Sequence, residues 1–80
     1  MTTERPTAEY KQAERIIDKF GGVPRMALIL SLAPTTIYKW TYPKERGGTN
    51  GLIPTHNIKG IRQAAPDVGI KLSDSDFAPN

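Results

Sequence analysis

VPRMALILSLAPTTIYKWTY, residues Val23 to Tyr42, is the stretch on which the reading of this chain turns. It divides into two short helical segments with a tight turn between them. Pro24 is acceptable at the start of a helix, because its missing N–H would have no partner there. Met26, Ala27 and Leu30 fall on one face of the first segment. Ser31-Leu32-Ala33 breaks the pattern, and Pro34 restarts it as the first residue of a second helix. Ile37 and Trp40 are three residues apart and share a buried face. Thr35, Thr36, Tyr38 and Lys39 are left pointing outward. Such a face, hydrogen-bonding groups with one cation, has the chemistry that base edges in a major groove accept.

These residues resemble the helix-turn-helix of the phage Cro/CI-repressor family, and especially that of the small Cro-like bacterial regulators and antitoxins. Ala27 stands where the family has a small residue early in the first helix. Leu32 supplies the apolar residue after the turn, and Ile37 and Trp40 the β-branched and bulky residues of the second helix. The turn departs from the pattern: the family most often has Gly where this chain has Ser31, which tolerates the left-handed conformation less well. The resemblance covers about half of the chain. It implies an all-α domain of four to five short helices around the helix-turn-helix, with a long loop or small hairpin after the second helix. It also implies a transcriptional regulator, a repressor, possessed of sequence-specific affinity for double-stranded DNA and derived from a phage element. Small Cro-like proteins also serve as antitoxins that bind a toxin and their own promoter, so a protein-interaction module is the alternative function.

The charge distribution agrees with a polyanion partner. The 80 residues carry a net charge of +3 with a pI near 9.5. Residues 23–66 hold Arg25, Lys39, Lys44, Arg46, Lys59 and Arg62 against Glu45 alone, six bases to one acid, or +5. Residues 1–22 balance, and residues 67–80 hold Lys71 against Asp67, Asp74 and Asp76. The basic excess thus sits on the two-helix stretch and on residues 43–66 after it. It also fits an ordinary solvated surface. The length suits one domain, near the small end of what buries a core without staples. There is no Cys, which fits a reducing cytoplasm. No run approaches the ~18 apolar residues of a membrane span, and MTTERPTAEY lacks the apolar run of a signal peptide.

Along the chain, residues 1–7 read as a flexible N-terminus, with Thr7 placed to cap a helix from Ala8 to Phe20. Ala13, Ile16, Ile17 and Phe20 make its core face, and Gly21-Gly22 ends it. Leu28 and Ile29 lie off the apolar face of the next helix and require a cover. The glycine-rich loop further on and a second subunit are both candidates. After Trp40, Pro43 stops the helix within the segment TYPKERGGTNGLIP. The glycines of that segment disfavour a regular element over residues 44–51, while Thr49-Asn50-Gly51 admits a short hairpin turn. Some small Cro-like regulators carry a similar insertion ending in Ile-Pro, which Ile53-Pro54 matches. Lys44 and Arg46 in this loop can grip a DNA backbone or simply aid solubility. A last helix runs from Thr55 to Ala65 with Ile58, Ile61 and Ala65 buried. Gly60 in its middle suggests a close helix contact, and Pro66 ends it. Residues 8–66 form the helix-turn-helix domain and 67–80 a C-terminal arm. There Val68, Ile70 and Leu72 alternate with Gly69 and Lys71, the pattern of a short strand or extended arm that pairs two subunits. Ser73 and Asp76 match a helix cap, and Phe77 folds back onto the core.

No catalytic constellation is visible, and no enzyme is expected. His56 lacks a second His or any Cys for a metal. Ser31, Ser73 and Ser75 lack an activating His, and Asp74 and Asp76 suit capping better than paired-carboxylate chemistry. No cofactor motif appears. The candidate DNA-binding residues are therefore Arg25 toward phosphate and Thr35, Thr36 and Lys39 toward bases with Pro34 at the helix entry. Tyr38 and Tyr42 can reach phosphates, as can Lys44 and Arg46 from the loop. So small a footprint implies a homodimer on a two-fold site.

Overall fold

α1 (Gln12–Lys19) carries Ala13, Ile16 and Ile17 on one face, and all three are buried together with Phe20 at its end. In the computed structural model, which describes residues 8–78, three more helices follow: α2 (Val23–Leu30), α3 (Pro34–Thr41) and α4 (Thr55–Asp67). Short 3-10 turns span Lys44–Arg46 and Asp74–Phe77. The architecture is all-α. No strand forms among the described residues, so the expected C-terminal strand is absent. The expected flexible segment 1–7, with Thr7 as a cap, lies outside the described residues.

One core joins the helices. Phe20, Ile16, Met26, Ile37, Trp40 and Ile61 are its largest fully buried side chains. Each such side chain contributes about 1.5–3 kcal/mol relative to exposure. α2 packs on α1, α3 and α4, and α1 also packs on α3. Ile37 and Trp40 face inward as their spacing requires. Ile29, Leu30, Leu32 and Ile58 are half-buried at the core's edge.

Three of the helices end in the same way. After α1, the N–H of Gly21 bonds to Asp18 O (3.1 Å) and that of Gly22 to Ile17 O (3.0 Å). After α4, Gly69 bonds to Pro66 O (3.1 Å) and Ile70 to Ala65 O (2.8 Å). After α2, Ser31 bonds to Leu28 O (3.4 Å) and Leu32 to Ala27 O (2.9 Å). Each is a Schellman closure, which needs a left-handed residue just past the helix. Ser31 adopts it, at φ 56 and ψ 42. The turn between α2 and α3 is thus undistorted, and Ser31 itself takes the strained conformation.

Several sequence expectations need correcting. α1 starts at Gln12, not Ala8, because the chain before it pairs with a remote turn. Glu9 N–H donates to Asn50 Oδ1 (3.0 Å), Tyr10 N–H to Asn50 O (3.0 Å), and Ala13 N–H to Gly51 O (2.8 Å). The last of these satisfies one of the free N–H groups at the start of α1. Pro66 does not end α4, which runs on to Asp67. In the last turn its missing N–H frees only the carbonyl of Arg62, a residue on the exposed side. Gly60 makes no close contact: a Cβ there would meet nothing within 4 Å. The packing gives no reason for a glycine at that position.

The segment after α4 packs on its own domain. Ile70, Leu72 and Phe77 are half-buried against the core. The expected strand or pairing arm does not form: Ile70 and Leu72 turn onto the core, Val68 stays exposed, and no neighbouring strand exists among the described residues to pair with them. α1 holds the end of the segment. Buried Gln12 donates to Phe77 O and accepts from Ile53 N–H (2.8 Å). Arg15 donates to Ala78 O (2.7 Å). Asp76, buried, accepts from Lys19 Nζ (2.7 Å), Ser73 N–H (2.8 Å) and Ser73 Oγ (3.2 Å). The Lys19 ammonium, then the Ser73 N–H, hold its pKa down to about 2. The capping arrangement of Ser73 and Asp76 is as expected.

Candidate nucleic-acid interface

α3 buries Ile37 and Trp40, and this fixes which of its side chains face water. Pro34, Thr35, Thr36, Tyr38 and Lys39 are all exposed. Tyr38, at 43% exposed, lies to one flank. Its ring borders a groove of about 400 Å³ shared with Tyr10, Glu14 and Asp18 from the α1 side. The helical pattern groups Tyr38 with Lys39. The two are consecutive on α3, and Tyr38 also borders the groove on the α1 side.

The loop after α3 is attached to that helix. Thr49 N–H bonds to Lys39 O (3.0 Å), Asn50 N–H to Tyr42 O (2.9 Å), and Thr49 Oγ1 to Trp40 O (3.3 Å). These donors satisfy carbonyls that a helix C-terminus otherwise leaves to water. The approach is close enough to demand glycine at residue 48, where a Cβ would lie 2.2 Å from Tyr42 O. At Gly51 a Cβ would lie 1.9 Å from Tyr10 O.

The expected turn is present without the expected hairpin. Leu52 N–H bonds to Thr49 O (3.1 Å), and the central residues Asn50 and Gly51 have φ 62 and φ 87. Positive φ at both central positions is the pattern of a type I′ turn. Beyond the Thr49–Leu52 bond no ladder forms, because Thr49 N–H is bonded to α3 and Ile53 N–H to Gln12 of α1. The loop therefore clasps α1 to the end of α3. It does not reach Leu28, whose surroundings are Pro24, Ala27, Ser31, Leu32 and Pro34. As a cover for Leu28 the glycine-rich loop is excluded.

The clasp carries Tyr42, Lys44 and Arg46 beside the end of α3. The Arg46 guanidinium lies 5.3 Å from the centre of the Tyr42 ring, a cation–π contact that gives it a preferred direction. Lys44 and Arg46 are exposed, and Tyr42 is half-buried. Arg25 is exposed on the first turn of α2. Three ion pairs occur among the described residues: Lys11–Glu14 (3.5 Å), Lys19–Asp76 (2.7 Å) and Arg62–Asp74 (3.3 Å). None engages Arg25, Lys39, Lys44 or Arg46. The acids in these pairs belong to α1 and the C-terminal segment.

Thr49, Asn50 and Gly48, which anchor the loop to α3, are not marked as site residues by the sequence. The Asn-Gly pair signals their turn, but not the identity of the groups they bond to. Gln12, the polar link between α1, the loop and the C-terminal turn, leaves a clearer trace. It occupies a core position of the pattern shared by Ala13, Ile16 and Ile17. His56 is exposed at the start of α4, and among the described residues no group of three or more His, Cys, Asp or Glu could hold a metal. No described helix is long and apolar enough to cross a membrane. Compared with known proteins, the chain matches no family model, no curated protein and no solved structure.

Proposed function

We propose that this chain binds double-stranded DNA sequence-specifically and acts in the cytoplasm as a transcriptional repressor, without catalytic activity or cofactor. The observation that carries the reading is the surface made by α3 and its attached loop. Thr35, Thr36, Lys39, Lys44 and Arg46 are exposed there, and the three cations form no ion pair among the described residues. α3 enters the major groove as the second helix of a helix-turn-helix, with Thr35, Thr36 and Lys39 toward base edges. The Thr methyls suit thymine, and Lys39 favours guanine. Lys44, Arg46, Tyr42 and Arg25 meet phosphates, which set register and not sequence. Repression as the sign of regulation follows from the resemblance to Cro-like proteins, which is analogy at the level of the fold.

Lys39→Ala tests the reading most directly. On DNA selected from a random pool, the substitution costs on the order of 1–3 kcal/mol, and less on unselected DNA. Titrations of both DNAs at one salt concentration measure the difference. Equal losses would reduce Lys39 to a phosphate contact. Failure of the wild-type chain to enrich any sequence would defeat the function itself.

One observation favours the antitoxin-type reading: Leu28 is 81% exposed. The C-terminal residues Ile70, Leu72 and Phe77, which would have belonged to a toxin-binding surface, are instead packed on the core. Co-purification with a second small protein would support that alternative.

A further inference from the structure

Asn50 and Gly51 hold the two central positions of the turn that clasps α1 to α3, at φ 62 and φ 87. The pair has a chemistry of its own. Glycine has no Cβ to hinder its backbone nitrogen, so Gly51 N can attack the side-chain carbon of Asn50. Gly51 N gives its proton to solvent as it bonds to Asn50 Cγ. The Cγ–Nδ2 bond breaks, and Nδ2 takes up a proton and leaves as ammonia. Water then opens the cyclic imide at either carbonyl. One opening leaves Asp at position 50, and the other leaves an isoaspartyl link whose backbone runs through the side-chain carbon. The fold itself demands the glycine, since a Cβ at residue 51 would lie 1.9 Å from Tyr10 O. Gly51 N–H has no hydrogen-bond partner among the described residues, because the turn is closed by Leu52 N–H on Thr49 O.

We propose that Asn50 is a site of spontaneous deamidation which the closed clasp guards, and that its conversion unlatches the loop permanently. In the closed turn one residue holds both ends of the Asn50 amide. Oδ1 accepts from Glu9 N–H (3.0 Å), and Nδ2 donates to Glu9 Oε2 (3.0 Å). Attack requires the amide to turn its face toward Gly51 N, and both bonds oppose that rotation. Gly51 is also buried, so solvent reaches its N–H only when the clasp opens. Conversion therefore runs at the rate of the open turn scaled by the fraction of time spent open. Once it has occurred, the clasp does not re-form as before. A carboxylate oxygen in place of Nδ2 turns the contact with Glu9 from a charge-assisted hydrogen bond into a meeting of like charges. The isoaspartyl form inserts a backbone atom between two anchors that the clasp needs together, Asn50 N–H on Tyr42 O (2.9 Å) and Gly51 O on Ala13 N–H (2.8 Å). Either product loosens the tie between Glu9 and the loop that carries Lys44 and Arg46. Asn57 is the internal control: it lies inside α4 before Ile58, where the helix and a β-branched neighbour oppose the same attack. The latch is independent of what α3 binds.

Mass spectrometry of the full chain, held in warm, mildly alkaline buffer, reads the conversion as an acid in place of the amide at residue 50. A free peptide spanning residues 47–53 should convert at least about 10-fold faster than the folded chain. Glu9→Ala should speed conversion in the folded chain by about 3-fold or more, the effect of one lost hydrogen bond. Asn57 should keep its amide throughout. Asn50→Asp should unfold several degrees below wild type. Adding Glu9→Gln to Asn50→Asp should restore most of that difference, because the Gln amide donates to the new carboxylate, a rescue that simple misfolding would not show. A folded chain that converts as fast as the peptide, or at a rate indifferent to Glu9→Ala, would overturn the guard. A Glu9→Ala chain that keeps its Asn50 amide over many half-lives of the peptide would remove the modification site. An Asn50→Asp chain as stable as wild type would remove the latch.

Discussion

At Ser31 a side chain occupies the conformation that Gly21 and Gly69 hold at the other two Schellman closures. A left-handed non-glycine residue costs roughly 1–2 kcal/mol, and the greater freedom of glycine in the unfolded chain returns about 0.4–1 kcal/mol of that. Ser31→Gly should therefore stabilise the domain by up to about 1 kcal/mol and raise Tm by a few degrees. Urea unfolding of the two proteins measures it, and a loss of stability would mean that the Ser31 side chain has a role in the fold that its exposure conceals. Asp76 is the second residue with a measurable consequence. Its pKa is lowered to about 2 by Lys19 and the Ser73 N–H, against about 3.9 in an unfolded chain. The stabilisation is thus fully present above about pH 4 and is lost as pH falls toward 2. Asp76→Asn should be less stable than wild type at pH 6, and the gap should close through that window. A gap independent of pH between 6 and 2 would remove the charge from the account.

α3 and the loop behind it behave as one element. Thr49 and Asn50 bond to the last carbonyls of the helix, and Arg46 is directed by the Tyr42 ring. A loop held this way presents its cations without first having to be ordered, so on the proposed DNA-binding reading their contribution is nearly all electrostatic. Changing Lys44 and Arg46 together to Ala should flatten the salt dependence of DNA affinity by about two units of logarithmic slope. The ratio of specific to unselected affinity should change little, since phosphate contacts carry no sequence. An unaltered slope in salt titrations would return both residues to solvation. The boundaries of α2 and α3 are legible in the sequence because both are bracketed by local signals: Gly22 and Pro24, Ser31, Pro34 and Pro43. Those of α1 are not, because Glu9 and Tyr10 are drawn out of the helix by Asn50, whose position no local pattern reveals.

For the whole molecule, the C-terminal segment is structural. Its alternating pattern reads as an arm free to pair subunits. Instead Ile70, Leu72 and Phe77 pack on the core, and Gln12, Arg15 and Lys19 of α1 all bond to residues 76–78. Ending the chain at Gly69 should cost on the order of 3 kcal/mol in apolar burial alone, a large part of the stability of so small a domain. Broad, low-temperature unfolding by calorimetry is the expected result. A truncated chain that melts as cooperatively and as high as the full one would restore the free arm.

The amino-acid pattern by itself settled where α2 and α3 lie, that Ile37 and Trp40 turn inward, and that Thr35, Thr36 and Lys39 turn outward. Helical periodicity and the breakers Gly and Pro act within a few residues, so these features can be read locally. The tertiary structure alone decided where the loop goes, where α1 begins, what the alternating segment after α4 does and that Leu28 is left uncovered. Each of these depends on which distant group satisfies a backbone N–H or meets an apolar side chain. Tyr10 with Asn50, Ile53 with Gln12 and Gln12 with Phe77 are such pairs, and their spacing along the chain carries no repeating signal. Gly48 and Gly51 show the same division. Their presence marked an irregular loop, but only the packed chain showed that Tyr42 and Tyr10 carbonyls leave no room there for a side chain.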